Sequence, residues 1–298
     1  MVHSYRLGAP FAHQSAMALF LDRDLEPVPY AETKTRLGKF DMADMADVVI
    51  VASAFGMDAV RAGGHAKWTS VSAAAGAGGF EVRRELFASD ADASVEALRS
   101  LGNAMAKLGL WSVYSTPECL YTPEGVLDVY ALRLALIEAT ALGARFVKLQ
   151  LGGFAAHANA AAIAACVRGM SPRLVVENGQ LEQGGSLAQF VGLFDALARE
   201  GHAGVLGMTF DVGNWLWRGV APLDAAQQLA AHVEYVHCKT MNGEGTRRLA
   251  SAPAADDAQF AAVLASLPPH VPRAIEFPFD ATRIEADAAH YVAWLAAA

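Results

Sequence analysis

Four side chains that can ligate a metal ion each stand at the end of a short apolar run in the second half of the sequence. They are Glu177 after "RLVV", Asp211 after "GMTF", His237 after "VEYV" and Glu276 after "RAI". Taken singly, each has a structural explanation: a helix cap, a turn residue, a buried histidine or a salt-bridge partner. Brought together, three carboxylates would repel one another unless a cation neutralised them. Three oxygen ligands and one imidazole make a good divalent-metal site, so the set predicts metal binding.

The elements that must position these residues are short β-rich runs that alternate with longer helical patterns. Such alternation is typical of β-α units around a parallel sheet, and eight units predict an α/β protein with a (β/α)8 TIM barrel. Active sites of such barrels lie at the carboxyl ends of the strands, so we expect the four residues to meet at one mouth. The predicted strands cover residues 47–53, 79–85, 109–115, 145–151, 173–178, 206–212, 233–239 and 273–279.

Residues 1–46 precede the first of these runs. They contain prolines and charges without a clean hydrophobic period. We predict an N-terminal extension or arm over residues 1–46, which packs on the barrel or on another subunit of a homo-oligomer. The catalytic domain is predicted as a single (β/α)8 barrel over residues 47–298.

The composition argues against several classes of protein. The chain carries 23 basic and 31 acidic residues, a net charge of -8, and the basic residues are scattered, which disfavours a nucleic-acid partner. No apolar run reaches the roughly 18 residues of a membrane span, so no membrane partner is expected. Three cysteines lie far apart without metal-type spacing, which predicts no disulfide framework and suits a reducing cytosol. We therefore expect a cytoplasmic protein.

The segments around the four candidate ligands resemble those of a known family. "LVVENGQ", "FDVGNW", "YVHCKT" and "AIEFPF", in this order, are similar to the metal-ligand segments of the xylose-isomerase-like TIM-barrel superfamily. This is the sugar phosphate isomerase/epimerase group that also contains endonuclease IV, and the resemblance spans roughly residues 47–298. It implies that Glu177, Asp211, His237 and Glu276 hold one divalent ion. Because most of the predicted ligands are oxygens, the site favours Mn²⁺, Mg²⁺ or Co²⁺, and the imidazole leaves Zn²⁺ possible. Mn²⁺ is the preferred prediction.

The resemblance also implies a reaction. A metal with open positions can chelate a carbonyl oxygen and a neighbouring hydroxyl of a small sugar or polyol derivative, which acidifies the adjacent C–H. In epimerases of the family, the two glutamates that correspond to Glu177 and Glu276 exchange protons with the substrate. We therefore expect a metal-dependent sugar isomerase or epimerase in which Glu177 and Glu276 are both ligands and catalytic groups.

Further polar residues at strand ends are candidates for substrate binding. Lys239 shares a strand face with His237, and Lys148 and Gln150 share a face on the fourth strand. Cations at this position can bind a substrate carboxylate or phosphate. The predicted substrate-binding set is Lys239, Asn214, Lys148, Gln150, Arg84 and Glu85, where Arg84, or its neighbours Arg83 and Glu85, ends the second strand.

Departures from the family keep other functions open. The family's ketose 3-epimerases often carry a histidine at the position of Asn214, so a metal-dependent dehydratase of the inosose or dehydroshikimate type is the alternative. Endonuclease IV uses histidines from strands 2 and 3, which here end in Arg84-Glu85 and Tyr114-Ser115, and this disfavours DNA repair. A non-catalytic binding barrel would predict a damaged ligand set, whereas the set is complete.

Overall fold

The computed structural model of the protein describes residues 46–243 and 248–298. The predicted N-terminal extension therefore lies outside the described residues, apart from Ala46. Within the described part of the chain, no helix is both long and apolar enough to cross a membrane.

Eight parallel strands close into a barrel, which confirms the predicted (β/α)8 architecture. Around the barrel each strand pairs with the strands of the preceding and the following unit, and the last strand pairs with the first. All eight predicted strands are present. They are β1 (Val48–Val51), β2 (Gly79–Arg83), β3 (Trp111–Tyr121), β4 (Phe146–Gly152), β5 (Arg173–Glu177), β6 (Gly207–Asp211), β7 (Val233–Cys238) and β10 (Arg273–Ile275).

Several strand boundaries differ from the prediction. Strand β2 ends at Arg83 instead of residue 85, so Arg84 and Glu85 lie in the turn that follows it. Strand β3 continues to Tyr121, six residues beyond the predicted end at Ser115, after an irregularity in its pairing with β4 between Ser115 and Cys119. Strand β10 ends at Ile275, so Glu276 is the first residue after it. A two-stranded antiparallel hairpin, β8 (Thr240–Asn242) with β9 (Leu249–Ser251), follows β7 and was not predicted.

Helices surround the barrel and connect its strands. Side chains cap several of them, as at α6, where the Ser186 side chain accepts a hydrogen bond from the Gln189 backbone N–H as its sequence predicts. The helices are α1 (Met57–Gly63), α2 (His65–Ala74), α3 (Val95–Lys107), α4 (Val129–Leu142), α5 (Ala160–Val167), α6 (Leu187–Arg199), α7 (Val212–Trp217), α8 (Pro222–Leu229), α9 (Ala258–Ser266) and α10 (Ile284–Ala297).

Two apolar clusters form the core. The larger lies between the outward faces of the strands and the helices, and Phe80 and Val82 of β2 belong to it. The smaller cluster fills the barrel interior, because alternate strand residues point inward. Its buried members are Val49, Val51, Val113, Phe146, Val175, Tyr235 and Ala274. Tyr235 lies at its edge, with its ring 5.1 Å from that of His237, so this apolar layer supports the polar residues at the barrel mouth.

Candidate metal centre

Glu177, Asp211, His237 and Glu276 converge at one point at the carboxyl ends of four successive barrel strands. One potential ligand atom from each lies within 4.8 Å of the others. Nδ1 of His237 is 2.9 Å from Glu177 Oε1, 2.8 Å from Glu276 Oε2 and 3.7 Å from Asp211 Oδ2. The exposed fraction of the side chain is zero for Asp211 and His237 and reaches only 11% for Glu276. The structure thus builds a compact and nearly dry cluster of three carboxylates around one imidazole nitrogen.

Local structure explains why an acid ends strand β6. Helix α7 begins directly after Asp211, and Asp211 Oδ1 accepts a hydrogen bond of 2.9 Å from the Asn214 backbone N–H. The side-chain amide of Asn178 holds the Asp211 backbone at both its N–H and its C=O. In turn, the Asn214 side chain donates to the Asn178 carbonyl. Asp211 is therefore fixed as a helix cap through one oxygen, and its other oxygen, Oδ2, is directed to the cluster.

The donor set fits a divalent cation. Among the described residues, Glu177 Oε1 and Asp211 Oδ2 are buried and accept no well-directed hydrogen bond. A positively charged nitrogen is nevertheless close to Asp211 Oδ2, since Lys239 Nζ lies at 2.6 Å, and His237 Nδ1 lies 2.9 Å from Glu177 Oε1. Buried carboxylate oxygens without directed donors are costly unless a cation contacts them. Together with Glu276 Oε2 and the imidazole nitrogen, these two oxygens form a donor set that suits Mn²⁺, Mg²⁺, Co²⁺ or Zn²⁺.

Lys239 and Arg83 neutralise the outer side of the cluster. Lys239 Nζ lies 2.6 Å from both Asp211 Oδ2 and Glu276 Oε2. Arg83 Nη1 donates to Glu276 Oε1 at 2.7 Å, while its Nε donates to Glu85 Oε1 at 2.7 Å. Both oxygens of Glu276 are thus engaged by cations.

Lys148 and Gln150 contact the carboxylate cluster at Glu177. Both donate to the same oxygen, Glu177 Oε2, at 2.9 and 2.6 Å. Lys148 Nζ is also 3.1 Å from Oε1 of Glu81, and both of these side chains are almost completely buried. Since Oε2 of Glu177 is occupied in this way, Oε1 is the oxygen that faces the other ligands.

The electrostatic environment favours positive charge at His237. Burial opposes ionisation of Glu276, but Lys239 and His237 outweigh it and hold the pKa of Glu276 well below its usual value. Burial raises the pKa of Asp211, although Lys239 opposes this effect. Burial also disfavours a charged imidazole, yet the surrounding carboxylates raise the pKa of His237 well above 6.5. The carboxylates thus attract either a proton or a metal cation to the imidazole nitrogen that faces them.

The predicted substrate-binding residues fall into two groups. Lys239, Lys148 and Gln150 contact the candidate ligand carboxylates directly. The Asn214 side chain instead donates to the Asn178 carbonyl and accepts a hydrogen bond of 3.2 Å from Gln180 Nε2. The second group comprises Arg84 and Glu85, which were predicted to end the second strand but lie in the turn after β2, since β2 ends at Arg83. The Arg84 guanidinium lies 2.6 Å from Asp90 and 3.6 Å from Glu138, so it is not brought to the cluster, and Glu85 reaches it only through Arg83. A substrate-binding role for these residues stays a prediction.

Sequence reasoning missed Glu81, and it named Arg83 only as a neighbour of Arg84. Glu81 lies between Phe80 and Val82 in β2 and is completely buried. The signal was available, because an acid inside an apolar strand must find a partner. Alternation along the strand also places Glu81 and Arg83 on one face and Arg84 on the other.

Comparison with known proteins supports the fold. No protein-family model matches the sequence, and no curated protein matches it. Solved structures do match. One is a "xylose isomerase-like TIM barrel/4-hydroxyphenylpyruvate dioxygenase fusion protein", with a TM-score of 0.63, 15% identity, and coverage of 84% of this chain. The chain spans 42% of that fusion protein's length.

Two further structures match along nearly their whole length. A xylose isomerase domain protein from Planctomyces limnophilus has a TM-score of 0.59 and 15% identity, with 85% of this chain and 95% of that chain covered. A D-psicose 3-epimerase, solved in the presence of D-fructose, has a TM-score of 0.60 and 12% identity, with 83% and 97% covered. At these identities the likeness concerns the fold. The barrel of this protein is similar in fold to those of xylose isomerase-like proteins and D-psicose 3-epimerase, in agreement with the predicted TIM barrel.

Proposed function

We propose that this protein is a divalent-metal-dependent sugar isomerase or epimerase, which removes a proton next to a metal-chelated carbonyl of a small sugar or polyol derivative. The observation that carries the proposal is the convergence of Glu177, Asp211, His237 and Glu276 within 4.8 Å at the barrel mouth. The fold supports it, because D-psicose 3-epimerases and a D-allulose 3-epimerase, proteins named for a sugar epimerisation, share this barrel.

In this proposal the four side chains hold one metal ion, for which Mn²⁺ is our first choice. Their ligand atoms are Glu177 Oε1, Asp211 Oδ2, His237 Nδ1 and Glu276 Oε2. When bound, the ion supplies Lewis-acid polarisation of the substrate carbonyl. The protein contributes a nearly dry site, in which fixed charges act more strongly than in water.

Glu177 and Glu276 are the proton-transfer groups. Nearby cations outweigh burial and keep the pKa of both below its usual value, so both are carboxylates at neutral pH. One of them accepts the C–H proton from one face of the substrate carbon, and the other returns a proton to the opposite face, which inverts the configuration. Lys239 lies beside Glu276, where its ammonium can also bind a substrate oxygen or anionic group.

The first test is metal content and solvent exchange. Protein purified from metal-replete medium should contain about one Mn²⁺, Mg²⁺, Co²⁺ or Zn²⁺ per chain, whereas three zinc ions would indicate a nuclease and none would indicate a binding module. Ketoses, inososes, keto acids and sugar phosphates are then incubated with the Mn²⁺-loaded protein in D₂O. Deuterium in a recovered substrate or its epimer supports proton abstraction next to a carbonyl.

The second test replaces one catalytic carboxylate. Glu276→Gln keeps the shape of the side chain but removes its ability to accept a proton, so turnover should fall below detection while circular dichroism stays unchanged. Glu285→Gln, which alters an exposed acid at the start of α10, serves as the matched control and should retain wild-type activity. Retained turnover in Glu276→Gln would remove Glu276 as a proton-transfer group.

A dehydratase is the second candidate, and the position of Lys239 favours it. Its ammonium lies 2.6 Å from Glu276 Oε2, so a cation adjoins a proposed proton-transfer group and can stabilise a hydroxyl oxygen as it leaves. Both reactions begin with the same proton abstraction, and product analysis separates them. Loss of water with formation of an enone identifies the dehydratase, whereas an isomeric product identifies the isomerase or epimerase.

A further inference from the structure

Glu81 is a buried carboxylate that the proposed reaction does not use. It lies within β2, and its side chain has no solvent exposure. Its neighbours Phe80 and Val82 point to the outer apolar core, so Glu81 points into the barrel. An isolated carboxylate would not be retained in such a place without partners of its own.

The two oxygens of Glu81 have different partners: Oε2 faces two hydrogen-bonding groups, whereas Oε1 faces only the ammonium of Lys148. Oε2 is 2.8 Å from His237 Nε2 and 2.9 Å from the hydroxyl of Tyr235, which donates to it. Oε1 is 3.1 Å from Nζ of Lys148. The Tyr235 hydroxyl and the Lys148 ammonium both present hydrogens to Glu81, so its two oxygens act as acceptors. His237 Nε2 must therefore carry the hydrogen between His237 and Glu81.

The other nitrogen of the same ring is the one that faces the metal ligands. Nδ1 of His237 is 2.9 Å from Glu177 Oε1 and 2.8 Å from Glu276 Oε2. In a neutral imidazole with its hydrogen on Nε2, Nδ1 has a lone pair available for a metal ion. We propose that Glu81 is a positioning residue, which fixes the Nε2–H tautomer and the ring orientation of His237 so that Nδ1 serves the metal ion.

This inference rests on the proposed metal binding by His237, and it leads to a sharp prediction for Glu81→Gln. Lys148 only donates, so the amide oxygen of the new side chain should turn to Lys148. The amide NH₂ then faces His237 Nε2, which must accept a hydrogen bond. The ring hydrogen moves to Nδ1 and points at the position of the ion. An isosteric substitution that adds no bulk is therefore expected to weaken metal binding, by about 10- to 100-fold.

The experiment measures Mn²⁺ affinity by calorimetry for three full-length, metal-stripped proteins: wild type, Glu81→Gln and Tyr235→Phe. The last variant removes the other donor to Glu81 Oε2 and keeps the carboxylate, so we expect its affinity to stay within about threefold of wild type. Circular dichroism and thermal unfolding of the metal-free proteins show whether each variant is folded. Glu81→Gln that is folded and binds Mn²⁺ as tightly as wild type overturns the proposal.

A second measurement does not depend on the folding of any Glu81 variant. Nitrogen-15 NMR of the wild-type protein, loaded with diamagnetic Zn²⁺ and labelled at histidine, reads the tautomer of His237 directly; the signal is assigned by its absence in His237→Gln. A hydrogen on Nε2 supports the proposal, and a hydrogen on Nδ1 overturns it. Wild-type protein that binds neither Mn²⁺ nor Zn²⁺ would overturn the proposed function and this inference together, whereas unchanged binding in Glu81→Gln overturns the inference alone.

Discussion

Lys239 places a buried positive charge between two carboxylates, and its replacement by methionine tests whether a metal ion can take over that charge. The lysine side chain is 7% exposed, and its Nζ lies 2.6 Å from both Asp211 Oδ2 and Glu276 Oε2. Methionine keeps an unbranched side chain but removes the ammonium. Removing one partner of a buried ion pair costs about 3–5 kcal/mol, because the remaining charge is left buried without compensation.

In the metal-free chain, Lys239→Met is therefore expected to lower the free energy of unfolding by about 3–5 kcal/mol. For a domain of this size, the midpoint of thermal unfolding should fall by about 6–20 °C. Saturating Mn²⁺ supplies positive charge to the same two oxygens. With Mn²⁺ bound, Lys239→Met should therefore lower the free energy of unfolding by less than it does in the metal-free chain. The difference should exceed the roughly 10–15% uncertainty of extrapolated unfolding free energies.

The assay is urea unfolding followed by circular dichroism at neutral pH, with EDTA and with saturating Mn²⁺. Lys107→Met is the matched control, since Lys107 is exposed at the end of α3 and its replacement should change stability by no more than about 0.5 kcal/mol. Equal destabilisation of Lys239→Met with and without Mn²⁺ would mean that no metal charge reaches Asp211 and Glu276. That result would refute their assignment as ligands.

Two further predictions concern the same centre. Asp211→Asn keeps an oxygen that can accept a hydrogen bond from the Asn214 N–H, so the variant should fold with α7 intact. Its affinity for Mn²⁺ should fall by at least about tenfold. An unchanged affinity in calorimetry would contradict the ligand role of Asp211. The metal-free protein should also lose stability in acid. Burial opposes ionisation of Glu81 and Glu276, but neighbouring cations lower the pKa of both in the folded protein. Their contribution to the free energy of unfolding is therefore fully present above the pKa of the unfolded chain, near 4.5. It is lost as the pH falls through the lower pKa values of the folded protein. Urea midpoints measured from about pH 3 to pH 7 should decrease below about pH 4.5, and a constant midpoint there would count against this account.

The barrel could be predicted from sequence because its strands are short apolar runs separated by amphipathic helical segments. The extension of β3 to Tyr121 could not, since Pro117 interrupts the run and lacks the N–H that regular pairing needs. The hairpin Thr240–Asn242 with Leu249–Ser251 has strands of three residues. Such a run is too short to show a hydrophobic period, so tertiary context decides its structure.

The candidate ligands could be located from sequence for a reason that does not apply to Glu81. Each ligand stands at a strand end, where parallel strands of a barrel bring polar residues to one mouth. Glu81 lies inside a strand, and its partner Lys148 comes from another strand that is distant in sequence. Whether Glu81 has an ion-pair partner depends on which side chains the closed barrel brings together in its interior. A single sequence does not show that contact.

The charges of the described residues favour a cation at the barrel mouth. Four buried carboxylates meet at most three basic side chains, because Arg83 is shared with Glu85 at the rim. With a neutral imidazole on His237 the interior therefore keeps at least one negative charge, which is expensive to bury. In the metal-free protein a proton on His237 offsets this charge, because the surrounding carboxylates raise the pKa of His237. A divalent ion would turn this deficit into a slight positive excess, and that excess would stabilise the negative charge that develops when a substrate loses a proton. The four carboxylates belong to Glu81, Glu177, Asp211 and Glu276, and the basic side chains belong to Arg83, Lys148 and Lys239.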